Sequence, residues 1–277
     1  MTNANARNRT KTLLTLAAVA MVTVVFTATP AHAQLTPQLG ILDLNANGGI
    51  NPATGAPWAA GDKYRFAFTS SELTDATSSN ITTYNDFVQN LANASSLNIG
   101  AAQGVAWNVI ASTANTTARD NTSTNIGVNG TGETIYLLDG STIVSEDYED
   151  LWNGDGGATQ PRINKTEELG NPINISHGSV WAGTFRNAYP DANYGTQDTF
   201  KGPLGSVDES MGGLYSPANG TQWIWRFNFT TDTELPIYAL SDPLMVTGPA
   251  AAPEPSTLFL SLLGLVGLLA FRRRRNR

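Results

Sequence analysis

The sequence predicts an α+β domain with mixed antiparallel strands and two short helices, and three observations carry this prediction. Residues Lys63–Thr69 alternate in polarity and include Tyr and Phe, which is typical of a strand. Apolar residues in Ile81–Ala94 recur at helical spacing, and Ser79 or Asn80 can cap that helix. Asp139-Gly140 separates two apolar runs, which is the strongest short-range signal for a β-hairpin.

The remaining elements follow in chain order. Further strands are predicted at Gly104–Ala111, Ile135–Leu138, Thr142–Val144, Val180–Phe185, Trp223–Phe229 and Ile237–Leu240. Ser145–Trp152 predicts the second helix, because Ser145 can cap it and the early acids favour its N-terminal dipole. Residues 112–129 predict a long Thr/Asn loop, and the Gly-rich region before Trp223 has no assignment.

The composition argues against most enzyme classes. The hydrophobic fraction is 41%, so the 277 residues can bury a core. The absence of Cys excludes disulfides, a cysteine nucleophile and thiolate metal sites. Only His32 and His177 are histidines, and His32 falls in a predicted signal peptide, which excludes a multi-histidine metal site in the mature chain. We therefore expect a non-enzymatic protein that needs no cofactor.

Residues 1–33 predict a secretory signal peptide. A basic start precedes an apolar run over Leu13–Phe26, and Ala31-His32-Ala33 forms a small-x-small cleavage site. Signal peptidase would then leave Gln34 as the first mature residue. The alternative is an uncleaved anchor helix.

The predicted mature body is strongly acidic. Residues 34–252 contain 22 acidic and eight basic residues, a balance of −14. Nucleic acids and anionic lipid surfaces are therefore unsuitable partners, since both require a basic footprint. A hydrated extracellular matrix suits such a surface.

The C-terminus contains three parts in a fixed order. A linker at 249–257 includes Pro253-Glu254-Pro255, an apolar run predicts a transmembrane helix at 258–271, and the basic tail 272–277 begins with Arg272-Arg273-Arg274-Arg275. Counted from Thr257, the run spans about 22 Å as a helix, which is short for a hydrocarbon core of about 30 Å. The arginines should stop transfer and remain cytoplasmic.

This arrangement resembles the PEP-CTERM sorting signal of Gram-negative bacteria that make exopolysaccharide. The resemblance implies an exosortase as partner, a membrane-embedded cysteine transpeptidase that would cut near Pro253-Glu254-Pro255. The body would then be released or re-anchored, after insertion in the inner membrane through the C-terminal helix. The alternative is an ordinary tail anchor with a stiff linker.

The body, residues 34–248, resembles the C-type-lectin-like fold in its endostatin-like form. The similarity lies in element order and in short motifs, notably Ile135–Gly140 leading into Glu149–Gly154, and later Val180–Thr184. It implies that the two ends of the domain meet, so that Tyr64–Phe68 pairs antiparallel with Ile237–Leu240. A one-residue slip of that pairing would expose three aromatic side chains. The disulfides, zinc histidines and Glu-Pro-Asn-like triplet of related domains are absent, so no ligand residue transfers.

One segment matches half of a calcium-binding loop. Asp43, Asn45 and Asn47 place oxygen ligands at alternate positions, followed by Gly48 at the sixth. The twelfth position, which should be a bidentate acid, is Thr54. A Gly-rich turn is the alternative, and we predict no metal site.

Other side chains with possible chemistry have structural alternatives. The densest acidic cluster could supply a glycosidase pair or merely a solvated helix face; it comprises Glu146, Asp147, Glu149, Asp150 and Asp155. His177 is interpreted as a loop residue. Trp152 and Trp181 are interpreted as core residues, as is the pair Trp223 and Trp225 on one face of a strand.

The sequence thus favours an exported, exosortase-sorted protein of the cell surface or extracellular matrix. Its non-enzymatic domain would bind exopolysaccharide or another surface component. One alternative is a secreted carbohydrate-active enzyme with paired carboxylates. A further alternative is an ice-binding protein, although the Thr spacing lacks the strand-like repeat that a flat Thr array requires.

Overall fold

The computed structural model describes residues 39–47, 49–152, 163–184, 202–215 and 220–247, which together form an α+β fold. Five α-helices occur in these ranges: Leu44–Asn47 (α1), Ile81–Ala94 (α2), Ala118–Asn121 (α3), Ile126–Asn129 (α4) and Tyr148–Trp152 (α5). The strands are Lys63–Thr69 (β1), Trp107–Val109 (β2), Thr134–Leu137 (β3), Ile143–Ser145 (β4), Ser179–Trp181 (β5), Glu209–Leu214 (β6), Phe227–Thr230 (β7), Tyr238–Ser241 (β8) and Leu244–Met245 (β9).

The predicted α+β class is confirmed, whereas the predicted number of two helices is too small. The predicted signal helix at 1–33 and transmembrane helix at 258–271 lie outside the described residues. Within the ranges that the structure describes, no helix has the length and apolar character needed to cross a bilayer.

The larger sheet has the strand order β2-β8-β1-β3-β4, with β9 pairing onto the start of β1. Strand β1 runs parallel to β3 and antiparallel to β8, where Ala67 lies opposite Leu240 and Phe68 lies opposite Ala239. The predicted pairing of the two ends of the domain is therefore confirmed. The hairpin across Asp139-Gly140 is also confirmed, since β3 and β4 pair antiparallel.

Strand β1 is buried on both faces. Tyr64, Phe66 and Phe68 belong to one apolar core, and Ala67 belongs to a second core on the other face. Arg65, on that second face, is also fully buried. The expectation that a register slip would expose three aromatic side chains is therefore wrong, because the slip would instead bring them into the second core.

Helix α2 has the predicted bounds and the predicted cap. The Oδ1 atom of Asn80 accepts the N–H of Thr82 at 3.0 Å, so Asn80 rather than Ser79 is the cap. Its apolar face is buried through Tyr84, Val88 and Leu91, as the spacing indicates.

Several predicted elements are shorter or different because side chains cap local turns. The strand predicted at 104–111 is reduced to β2, and the predicted loop at 112–129 contains α3 and α4, capped by Thr117 and Asn125. Ser145 ends β4 instead of capping a helix. Helix α5 begins at Tyr148, and Asp147 Oδ1 accepts the N–H of Asp150 at 2.7 Å.

The smaller sheet has the order β5-β6-β7. Strand β6 lies in the Gly-rich region without a predicted element, and strand β5 covers only the first part of the predicted strand at 180–185. The strand predicted at 223–229 is wrong in its first part, because Trp223 ends a 3-10 helix and only Phe227–Thr230 form a strand. Trp223 packs so closely on β6 that a Cβ on Gly213 would lie 1.9 Å from its carbonyl oxygen.

Candidate ligand pocket

A concave pocket of about 490 Å³ lies beside the β3–β4 turn. Four chain segments build it, and its aliphatic walls are Ile41, Leu44, Ile50, Pro52, Leu138 and Leu169. Asp139, Gly140 and Ser141 of the turn complete the lining. The volume is within the range of small-molecule sites, which combine apolar walls with a few polar groups.

Asp139 is the carboxylate of this pocket. Its Oδ1 accepts the N–H groups of Ser141 and Thr142 at 2.9 and 2.8 Å, and its Oδ2 accepts the Thr142 hydroxyl at 2.7 Å. Burial opposes ionisation, yet the hydrogen bonds from Thr142 and Ser141 outweigh it and lower the pKa of Asp139 below its ordinary value. Asp139 is therefore anionic at neutral pH.

Leu169 enters the wall from a strained turn. Its φ of 59° lies in the left-handed region, which costs free energy for a residue other than Gly. Its two predecessors are held by separate serines: Glu167 accepts the N–H of Ser71 at 3.0 Å, and Glu168 accepts the N–H of Ser96 at 2.7 Å. Each glutamate also accepts the hydroxyl of its serine. These contacts fix the position of Leu169 before any ligand binds.

The segment that resembles a calcium loop contributes to the pocket through its apolar residue. Asp43 Oδ1 accepts the N–H of Ala46 at 2.9 Å, which closes the single turn of α1, and Asn45 and Asn47 lie within that turn. Leu44 is buried and lines the pocket. In the ranges described by the structure, no group of three His, Asp or Glu side chains is placed to hold a metal ion.

The acidic cluster surrounds the start of α5. Besides the bond between Asp147 and Asp150, Asp150 Oδ2 accepts the N–H of Glu146 at 3.1 Å. Glu149 is exposed, and Asp155 lies outside the described residues. The described hydrogen bonds of the cluster therefore cap a helix.

The histidine and tryptophans have structural positions. His177 is exposed in the turn before β5, with a φ of 65°. Trp152, Trp181 and Trp223 are buried, which confirms them as core residues. The predicted strand face shared by Trp223 and Trp225 is wrong, although Trp225 packs against the second core.

The pocket has no signature in the sequence, because its walls come from distant segments. Periodicity marks none of Ile41, Ile50 and Leu169 as members of one site. The Asp139-Gly140 turn is recognisable in the sequence, but it indicates a hairpin rather than a ligand site.

The other predicted site residues lie outside the described residues: Ala31, His32, Ala33, Pro253, Glu254, Pro255, Arg272, Arg273, Arg274 and Arg275. Residues 251–275 match the PEP-CTERM protein-sorting motif. No curated protein matches the chain. The chain is thus an exosortase substrate, an exported protein that is anchored in the membrane before it is processed.

Proposed function

We propose that the processed protein is a non-enzymatic binding domain of the cell surface or extracellular matrix, with exopolysaccharide or another surface component as its partner. The sorting motif at 251–275 supports delivery to that location. The charge balance of −14 over residues 34–252 supports a hydrated, polar environment.

The structural use of the carboxylates carries the non-enzymatic part of the proposal. A glycosidase needs two carboxyl groups free to act on either side of a glycosidic bond. Asp147 and Asp150 are engaged as helix caps, and Glu167 and Glu168 hold the turn before Leu169. Asp139 is the one carboxylate that lines the described pocket.

A lectin-like topology for this domain is supported by the meeting of its ends. The N–H of Gly61 donates to the carbonyl of Val246 at 2.9 Å, and the N–H of Val246 donates to the carbonyl of Asp62 at 2.8 Å. Together with the pairing of β1 and β8, these bonds place the chain exit beside the start of β1. The endostatin-like form implies this arrangement.

The test uses the processed protein purified from a host that has an exosortase. Co-sedimentation with the exopolysaccharide of that host should retain it, and reducing ends should not increase during incubation. An increase in reducing ends that is lost in an Asp147→Asn or Asp150→Asn variant with the melting temperature of the wild type would establish the enzyme instead. If the protein sediments neither with the exopolysaccharide nor with intact cells of the host, the binding proposal is overturned.

A further inference from the structure

We infer that the pocket beside the β3–β4 turn binds amino-sugar residues with free ammonium groups, in a cationic exopolysaccharide. This inference rests on the proposed function and names its ligand class. The ligand combines an apolar sugar face with a positive charge, and the pocket combines aliphatic walls with the carboxylate of Asp139.

The charge of the pocket selects a cation. Among the described residues, Asp139 Oδ2 accepts one hydrogen bond, from Thr142, so this oxygen retains a lone pair for an ammonium donor. The negative body, with its balance of −14, attracts a polycation and repels an anionic polysaccharide. Neither partner then carries an uncompensated charge in the complex.

The walls of the pocket select the rest of the ligand. The C–H groups of a pyranose ring can pack on Ile50, Pro52 and Leu169, whose side chains are aliphatic carbon and are exposed or half-buried. A volume of about 490 Å³ admits more than one sugar residue, whereas a single lysine side chain would leave most of it unfilled. The turn that holds Leu169 is ordered in advance, which lowers the entropic cost of binding.

The β3–β4 turn of the pocket and the last described strand lie at opposite ends of β1. Strand β9, the last described strand, pairs with Lys63 and Tyr64 at the start of β1. Leu138 and Asp139 follow β3 at the opposite end of the parallel β1–β3 pair. About 20 Å of strand separates the two ends of β1.

Two substitutions test the two halves of the pocket. Asp139→Asn removes the charge, and Ile50→Lys places a competing cation at a wall residue that is 51% exposed. Asp86→Asn on the exposed face of α2 and Val128→Lys at a site 78% exposed are the matched controls. Thermal melting of each variant establishes that it is folded.

The readout is the Kd of the processed protein for a short glucosamine oligomer, measured by calorimetry. Each pocket variant should bind about tenfold more weakly, as expected for loss of a charge-assisted contact, and each control should match the wild type. If the wild type binds the oligomer and both Asp139→Asn and Ile50→Lys bind it with the same Kd, the pocket is not the binding site.

Kd measurements with other ligands distinguish failure of this inference from failure of the proposed function. Equal affinity for the fully N-acetylated oligomer would overturn the cationic ligand but not the binding function. Equal affinity for polylysine would identify a basic protein in place of the polysaccharide. Failure of the wild type to bind any polysaccharide, including that of its host, would overturn both.

Discussion

Arg65 donates a hydrogen bond through Nη1 to the hydroxyl of Tyr148 at 3.0 Å, although Arg65 is fully buried within β1. Its Nε donates to the carbonyl of Ser241 in β8 at 2.7 Å. The Tyr148 hydroxyl in turn donates to Glu133, so the tyrosine links the buried guanidinium to a carboxylate. This chain of bonds ties β1, β8 and α5 together around one charge.

Tyr148→Phe should destabilise the protein by about 1–3 kcal/mol, because a buried donor of Arg65 loses its acceptor. The ring is kept, and with it the contact of the guanidinium 5.6 Å above the ring centroid, so the variant isolates the hydroxyl. Urea unfolding followed by circular dichroism measures the change. Tyr215→Phe, which removes a hydroxyl from a half-buried ring next to β6, is the control. Equal stability of both variants would contradict the role assigned to the hydroxyl.

Asn85→Ala should both destabilise the protein and promote its aggregation. Asn85 Oδ1 accepts the N–H of Val109 at 2.9 Å, and Asn85 exchanges two amide bonds with Asn121. Together with Gln89, whose Oε1 accepts the N–H of Trp107 at 2.9 Å, Asn85 covers the outer edge of β2, and its loss would open part of that edge to pairing with another chain. We expect a loss of about 1–3 kcal/mol, with light scattering that rises on storage. The exposed Asn90 of α2 provides the control, and similar scattering from Asn90→Ala would argue against edge protection.

Among Gly-to-Ala substitutions in the smaller sheet, Gly213→Ala should lower the stability of the protein most. The new Cβ would lie 1.9 Å from the carbonyl oxygen of Trp223, and backbone atoms cannot move aside as a flexible side chain does. Overpacking of this kind costs about 1–3 kcal/mol or more. Gly127→Ala is the control, since its Cβ would meet Asn125 Oδ1 at an ordinary 3.6 Å. Melting temperatures that do not differ would contradict the close packing of Trp223 on β6.

The sequence predicts those helices and hairpins that are determined by neighbouring residues in the chain. Helix α2 combines a side-chain cap with unbroken helical spacing, and the β3–β4 hairpin combines Asp139-Gly140 with two apolar runs. The pairing of β1 with β8 could be predicted because the resemblance supplied a topology that composition alone does not contain.

The sequence did not predict features that depend on tertiary contact. Strand β6 contains Gly212 and Gly213, which weaken the strand pattern, but Gly213 is required where Trp223 approaches and Gly212 where the carbonyl of Val180 does. The alternation in β1 gives no sign that Arg65 is buried, since its partners come from β8 and α5. The pocket is unpredictable for the same reason, because four separate segments build it.

Stability should fall in alkali between about pH 10 and about pH 12. Burial raises the pKa of Tyr64, Tyr84 and Tyr148 to about 12, whereas an unfolded tyrosine ionises near 10. Because the folded state holds these protons more tightly, the stabilisation is complete below the unfolded pKa and is lost as pH rises through the folded pKa. As pH increases, the absorbance of tyrosinate should therefore rise over the same range in which the circular dichroism signal of the folded protein is lost. Full ionisation of these tyrosines near pH 10 in a folded protein would be the contrary result.

Replacing Pro253 and Glu254 by Ala should leave the full-length precursor in the inner membrane of a host with an exosortase. Both residues fall within the sorting motif at 251–275, so processing should fail, while the Arg272–Arg275 cluster still resists translocation. The body should fold normally, because its last strand ends at Met245 and Val246 is bonded to Asp62.

The matched control for this sorting variant changes Gly248 and Pro249 to Ala. Gly248 is the last residue of the predicted body and Pro249 the first of the linker; both precede the matched motif, so the control alters the chain next to the signal without altering the signal itself. Immunoblots of membrane and culture fractions should show released protein for the wild type and the control, and almost none for the motif variant. Equal release of all three would mean that the Pro-Glu part of the motif is not what the exosortase recognises. Retention of the control as well would assign the effect to linker geometry instead.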